Sequence, residues 1–134
     1  MNSHQWRTHA SKAILTVKAK SEPGLFEESV HALFDFIKPI RSNSVAPIVN
    51  LDLKGKDMGH LLTELLSNTI KWTNLHKAHY HTFVIHEVSH HHLIGVLEGH
   101  IADSFGQILK STSLKDAHIE HKDGWMTVSI EFNI

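Results

Sequence analysis

The sequence predicts an α+β fold: a single domain with a mostly antiparallel sheet and two amphipathic helices packed on one face of it. Two patterns predict this fold. Apolar and polar residues alternate in several short segments, as in half-buried strands, whereas two longer segments repeat apolar residues at helical spacing. A chain of 134 residues with 41% hydrophobic content can bury one core. We therefore expect residues 1–134 to form one domain, with residues 1–8 flexible or loosely packed.

The first half of the chain reads as strand, helix, strand, helix. Residues 13–20 alternate like a half-exposed strand. The run Ser21-Glu22-Pro23 then offers a cap and an early proline for a helix that Pro39 stops. After a polar loop, residues 48–54 read as a second strand, and the second helix follows with an apolar stripe from Met58 to Ile70.

The second half reads as strands alone. Residues 80–87 and 93–101 are rich in β-forming residues and flank a polar cluster, which indicates a hairpin with a histidine-rich turn. Three later segments supply the last strands. Asp123-Gly124 is a strong hairpin signal before the final strand, whose polar row ends at Asn133. The three later segments are residues 109–113, 117–122 and 125–133.

Composition excludes several classes of protein. Thirteen basic and fourteen acidic side chains give a net charge of −1, which is unlike the basic footprint of a protein that binds nucleic acid strongly and directly. No apolar run approaches the roughly 18 residues that span a bilayer, so we expect a soluble, cytoplasmic protein with no membrane partner. The absence of cysteine excludes disulfides and thiolate metal sites.

Fourteen histidines are the unusual feature of the composition. His79 with His81, and His90 with His92, are spaced to project from the same face of a strand and could chelate zinc or nickel weakly. A reference pKa of roughly 6.5 would also let the histidines respond to pH. A histidine-rich metal-binding or pH-responsive protein without catalytic activity is therefore an alternative function.

His86-Glu87-Val88-Ser89-His90 matches the metalloprotease pattern H-E-x-x-H, which needs both histidines on one face of a helix. The flanking segments are β-branched and aromatic, which disfavours a protease. No glycine-rich phosphate loop is present, and no Ser-His-Asp arrangement can be recognised from residue order. The sequence therefore predicts that the protein is not an enzyme.

Five segments together resemble the archease family, whose members assist the RtcB-type RNA ligase in tRNA splicing and RNA repair. The opening His-Thr-Ala-Asp motif of that family corresponds to His9-Ala10-Ser11-Lys12, and its closing strand corresponds to Ile130-Glu131-Phe132-Asn133-Ile134. The other three matching segments lie in the first helix, at the start of the second helix and late in the chain: residues 25–34, 55–62 and 110–115.

This resemblance implies a non-enzymatic accessory protein with an RNA ligase as its partner. Archeases promote guanylylation and turnover of the ligase, and an aspartate in each of the two outer motifs helps to hold a divalent cation. Here those positions are Lys12 and Asn133, beside His9 and Glu131. An ammonium and an amide make a degenerate metal site that should not hold a hard cation.

The resemblance to archeases also suggests what replaces the cation. The Lys12 ammonium would take its place and pair with Glu131, which shares a strand face with Asn133, or with another acid near the end of the sheet. The alternative is that Lys12 is solvated and that the protein is a repurposed or inactive relative of the family.

Overall fold

The protein contains two helices and two antiparallel sheets. The computed structural model describes residues 2–112 and 117–134. In chain order, the elements are β1 (Ser3–His9), β2 (Lys12–Ala19), α1 (Glu22–Ile37), β3 (Pro39–Val45), β4 (Val49–Lys54), α2 (Met58–His76), β5 (Ala78–Val88), β6 (His92–Phe105), β7 (Ser111–Thr112), β8 (Ile119–Lys122) and β9 (Trp125–Asn133).

The first sheet, called sheet A, has the strand order β1-β2-β9-β7, with β8 also paired to β9. The second, sheet B, is built around the long strand β6, which pairs with β3, β4 and β5. Sheet A thus brings the start of β2 beside the end of β9, because Lys12 is the register partner of Asn133. The turn between β1 and β2 therefore lies beside the C-terminal end of the chain, where the two central strands of this sheet end.

A single core joins the sheets to the helices. The alternating rows of β2 and β9 bury one face of sheet A, and α1 and α2 contribute their apolar stripes to the same cluster. Helix α1 contacts β1 and β2 of sheet A and β5 of sheet B, and α2 also contacts strands of both sheets. Neither helix, within the residues that the structure describes, is long and apolar enough to cross a membrane.

Both helices begin, and α1 also ends, where the sequence signals predict. Ser21 Oγ accepts a hydrogen bond from the Gly24 amide at 3.1 Å, and Asp57 Oδ1 accepts one from the His60 amide at 2.8 Å. Helix α1 ends at Lys38, which takes the left-handed conformation (φ 51°) just before Pro39. Helix α2 extends beyond Ile70 to His76, further than its predicted apolar stripe.

The α+β class is confirmed, and three details of the prediction are wrong. Residues 3–8 are not a loose terminus, because Ser3–His9 form β1, which pairs with Lys12–Lys18 of β2, and residue 1 lies outside the described residues. The predicted polar loop after α1 contains β3, whose register with β6 is interrupted by bulges. There are two sheets rather than one, and the helices contact both.

The two predicted hairpins are present. Asp123 (φ 52°) and Gly124 (φ 79°) have the positive φ angles of a type I′ turn between β8 and β9. The β5–β6 hairpin turns over Ser89, whose amide donates to the His92 carbonyl at 2.8 Å. Residues 86–88 lie in β5, so the helix that H-E-x-x-H requires is absent. Of the predicted strand 109–113, the structure forms β7 at Ser111–Thr112, and residue 113 lies outside the described residues.

Candidate functional site

Lys12 and Asn133 contact each other directly where the central strands β2 and β9 of sheet A end, and we call this end of the strands the edge of sheet A. They are cross-strand partners in the β2–β9 register, and the Lys12 Nζ donates a hydrogen bond to Asn133 Oδ1 at 2.5 Å. Both side chains are partly buried. A hydrogen bond from an ammonium is stronger than one between neutral groups. The pair therefore ties the start of β2 to the end of β9.

The backbone around this pair is held in place on both sides. The Ile134 amide donates to the Ser11 carbonyl at 3.0 Å, and the Lys110 amide donates to the Asn133 carbonyl at 2.9 Å. His9 lies opposite Lys12 in the β1–β2 register and is exposed. The edge of the sheet is thus a pre-arranged surface, built from the chain end and from the turn between β1 and β2.

The predicted partner of Lys12 is wrong. Glu131 lies opposite Ile14, two residues from Asn133, and is exposed. No carboxylate among residues 2–112 and 117–134 lies within ion-pair distance of the Lys12 ammonium, which contacts the amide of Asn133 instead. The physical reason is register: a direct cross-strand neighbour is closer than a diagonal one on the same face.

A second group of polar side chains lies where β5 meets β6. His79 is the register partner of His100, and His81 Nε2 lies 2.9 Å from His100 Nδ1, so one imidazole donates to the other. The His79 and His81 rings meet edge to face, with centroids 5.3 Å apart. The predicted pair of His79 and His81 is thus part of a trio, whose third member, His100, the sequence did not single out.

A β-bulge causes this rearrangement. Between the paired positions His79–His100 and Thr82–Glu98, β5 has two residues opposite the single Gly99. A Cβ atom at Gly99 would lie 1.8 Å from the His79 carbonyl oxygen, so only glycine fits there. Because the bulge interrupts alternation, counting every second residue could not identify the partner of His81.

Burial and charge lower the pKa values of two of these histidines. Burial is the main cause for His79, whose pKa falls from 6.5 to about 4, and His81 and Arg41 lower it further. Burial, then Arg41 and His100, lower the pKa of His81. Both shifts in pKa favour the neutral imidazole.

The other predicted pair is not brought together. His90 Nε2 lies 2.8 Å from Glu22 Oε1, at the start of α1. His92 Nε2 instead lies 2.6 Å from Asp52 Oδ1, in β4. Each histidine is thus directed to its own carboxylate. In the part of the chain that the structure describes, no three histidine, aspartate or glutamate side chains are placed to hold one metal ion.

The sequence of residues 5–134 matches the Archease protein family (MTH1598/TM1083). The chain belongs to the archease family. The match spans nearly the whole chain and confirms the resemblance carried by the motifs around Lys12 and Asn133. No curated protein matches the sequence.

Two solved structures share the fold of this archease. One is the solution structure of protein 1598 from Methanobacterium thermoautotrophicum, with 14% identity, a TM-score of 0.62 and coverage of 98% of both chains. The other is the crystal structure of an archease from Thermotoga maritima described as a possible chaperone, with 10% identity and a TM-score of 0.66. That match covers 94% of this chain and 93% of the other. At these identities the likeness establishes the fold.

The donor set at the edge of sheet A does not fit the divalent cation that the family resemblance implies. A hard cation needs several oxygen ligands, preferably carboxylates. Here the Lys12 ammonium is hydrogen-bonded to Asn133 Oδ1, so a positive charge already lies against the amide oxygen. A divalent cation would be repelled by that ammonium. This archease therefore has a lysine-asparagine contact at the positions where the family resemblance implies two carboxylates that hold a cation.

Proposed function

We propose that this archease is an accessory protein of an RtcB-type RNA ligase in tRNA splicing or RNA repair, and that it acts by contact with the ligase rather than by chemistry of its own. The observation that carries the proposal is the family match over residues 5–134. The description of the Thermotoga maritima archease as a possible chaperone is consistent with a role exerted on another protein.

The edge of sheet A is the surface proposed to contact the ligase. The Lys12–Asn133 contact and the two backbone hydrogen bonds beside it hold the ends of β2 and β9 together. The ammonium supplies positive charge where other archeases are expected to hold a cation. We infer that the edge keeps its shape without metal and that the accessory role is independent of a cation bound to this protein.

Multiple-turnover RNA ligation by the ligase of the same organism tests this function. The ligase is assayed at limiting GTP with and without the full-length protein, and we expect stimulation. The variant Lys12→Met should lose most of it, because the side chain keeps its length but not its charge. Lys54→Met, at an exposed lysine of β4 in sheet B, is the matched control and should stimulate normally.

Two results would contradict the proposal. Absence of stimulation by the wild-type protein would exclude the accessory role. Equal stimulation by the wild-type protein and by Lys12→Met would exclude the edge of sheet A as the contact surface. Circular dichroism of each variant separates either result from a failure to fold.

A further inference from the structure

Trp125 is a large aromatic residue on the polar side of sheet A. It begins β9 in the row that continues with Thr127, Ser129 and Glu131, opposite in direction to the buried row that starts at Met126. The other two tryptophans, Trp6 and Trp72, pack against the core cluster, whereas Trp125 is not part of it. Packing of the core therefore does not account for the indole.

Two lysines lie against this indole, and a third is its neighbour across the hairpin. Lys18 Nζ and Lys20 Nζ lie 4.7 Å and 4.8 Å from the centre of the ring, within cation–π distance. Lys122 is the register partner of Trp125 across the β8–β9 hairpin, so its Cβ is about 5 Å away. All three lysines are exposed. Their mutual repulsion is relieved when an anion binds between them.

The surrounding face is polar. The hydroxyl groups of Thr16 and Ser129 are 3.1 Å apart on neighbouring strands. Glu120, whose register partner is Thr127, lies on this face, and Asp123 lies in the turn before Trp125. Three lysines thus lie beside the indole along the chain or across the strands, in a chain whose net charge is −1. The positive charge is a local feature of this surface.

We propose that the lysine-tryptophan surface formed by Lys18, Lys20, Lys122 and Trp125 binds single-stranded RNA. A base stacks on the indole and displaces one lysine stem, while the ammonium groups contact the flanking phosphates. Flat sheet faces that carry aromatic and basic side chains suit this combination, because every base has a face that can stack.

This inference rests on the proposed function for the choice of RNA, since an accessory protein of an RNA ligase works beside RNA ends. Few phosphate contacts give weak binding, in keeping with a chain that lacks an overall basic footprint. The surface would hold a strand near the ligase rather than capture it unaided.

The test measures fluorescence anisotropy of a labelled 12-nucleotide single-stranded RNA with the full chain and no ligase. With three phosphate contacts, the logarithm of the binding constant should fall against the logarithm of salt concentration with a slope of about −2. The double variant Lys18→Gln with Lys20→Gln should bind about 20-fold more weakly at 0.1 M salt. Trp125→Leu should bind about tenfold more weakly, with an unchanged salt slope.

Lys71→Gln is the matched control. Lys71 Nζ lies 4.8 Å from the Trp72 ring on α2, so this variant removes an equivalent charge and an equivalent cation–π contact elsewhere. Its RNA affinity should stay within twofold of the wild-type value. Equal losses of RNA affinity in Lys71→Gln and in the double variant would mean non-specific attraction and would overturn the proposal. The proposal would also be overturned if the wild-type protein bound no RNA at 100 μM protein.

A partner of another class gives a different result. Binding to vesicles containing 30% phosphatidylserine in preference to RNA would assign the lysines to a membrane and overturn the proposal. The ligation assay on the same variants separates the two proposals. Stimulation without RNA binding would leave the accessory role standing and remove the RNA surface, whereas RNA binding without stimulation would support the surface and remove the accessory role.

Discussion

At the scale of single residues, the Lys12–Asn133 contact differs in charge from the two aspartates that the family resemblance implies at these positions. Two aspartates without a cation would place like charges on directly opposed strand positions, which is destabilising. An ammonium opposite an amide removes that repulsion and adds a charge-assisted hydrogen bond at 2.5 Å. The local charge becomes positive without any bound ion.

Restoring both carboxylates should restore cation binding. In the double variant Lys12→Asp with Asn133→Asp, the two side chains occupy opposed register positions and supply oxygen ligands of the kind that Ca²⁺ and Mg²⁺ prefer. Isothermal titration calorimetry should detect Ca²⁺ binding to the double variant and none to the wild-type protein. The single variant Asn133→Asp is the control and should not bind, because its carboxylate pairs with Lys12. Ca²⁺ binding to the wild-type protein would show that the lysine does not replace the ion.

His79 should make stability depend on pH. Its pKa is about 4 in the folded protein, mainly because of burial, and about 6.5 in the unfolded chain. Between these values the unfolded state binds the proton and the folded state does not. The contribution of His79 to the free energy of unfolding is therefore complete above pH 6.5 and is lost as the pH falls towards 4.

Urea denaturation of wild-type protein and His79→Phe between pH 7 and pH 4.5 measures this effect. Phenylalanine retains a ring to pack against Phe34, whose centroid lies 4.8 Å from that of His79, but it does not titrate. The loss of stability on acidification should be smaller in His79→Phe. His86→Gln, at an exposed histidine on the same strand, should behave like the wild-type protein. Parallel pH profiles for His79→Phe and the wild-type protein would rule out the assigned role of His79.

At the scale of elements, β1 shows why the N-terminus is ordered. The centroid of the Trp6 ring lies 4.5 Å from that of Phe36 and 5.4 Å from that of Phe132. Trp6 Nε1 donates a hydrogen bond to the Ala32 carbonyl at 2.8 Å. His4, on the same row, lies 2.7 Å from Asp35 of α1. Strand β1 thus packs sheet A against α1.

The substitution Trp6→Ala should cost about 3 kcal/mol of unfolding free energy, since it removes a large packed ring and one hydrogen bond. Trp6→Phe should cost about 1 kcal/mol, because it keeps most of the packing and loses the hydrogen bond. Trp125→Phe, outside the core, should change stability by less than about 0.5 kcal/mol. Chemical denaturation measures all three. An unchanged free energy of unfolding in Trp6→Ala would indicate that β1 is not part of the folded core.

Elements with a strong local pattern were predictable from sequence, and the rest depend on distant contacts. The row from Met126 to Phe132 and the cap at Asp57 carry their signals within a few residues. By contrast, β1 has a charged and polar exposed row, and only its pairing with β2 and packing of Trp6 make it a strand. The contact of His81 with His100 depends on a bulge, which has no signature in alternation.

The candidate site was predictable only in part for the same reason. Motif positions identified Lys12 and Asn133, but the partner of the ammonium follows from register, which the sequence does not state. The lysine-tryptophan surface was missed because its lysines come from two distant segments, β2 with the residue after it and β8, and overall composition does not show that they lie together.

At the scale of the whole molecule, the two sheets should unfold together. One cluster of buried side chains contains residues of both helices and both sheets. Helix α1 supplies the link, since it contacts β1 and β2 on one side and β5 on the other. A sheet that lost α1 would expose its apolar row to water, so neither sheet has a stable state without the other.

Two probes placed in different sheets test this coupling. Tryptophan fluorescence reports sheet A and α2, and a dye on a Val84→Cys variant reports sheet B. The dye reacts at this one position because the wild-type chain has no cysteine. The two urea midpoints should coincide. Leu33→Ala, at a fully buried position of α1, should lower both by the same amount, corresponding to about 3 kcal/mol. Midpoints that separate, in either protein, would mean that sheets A and B fold as independent units joined by α1.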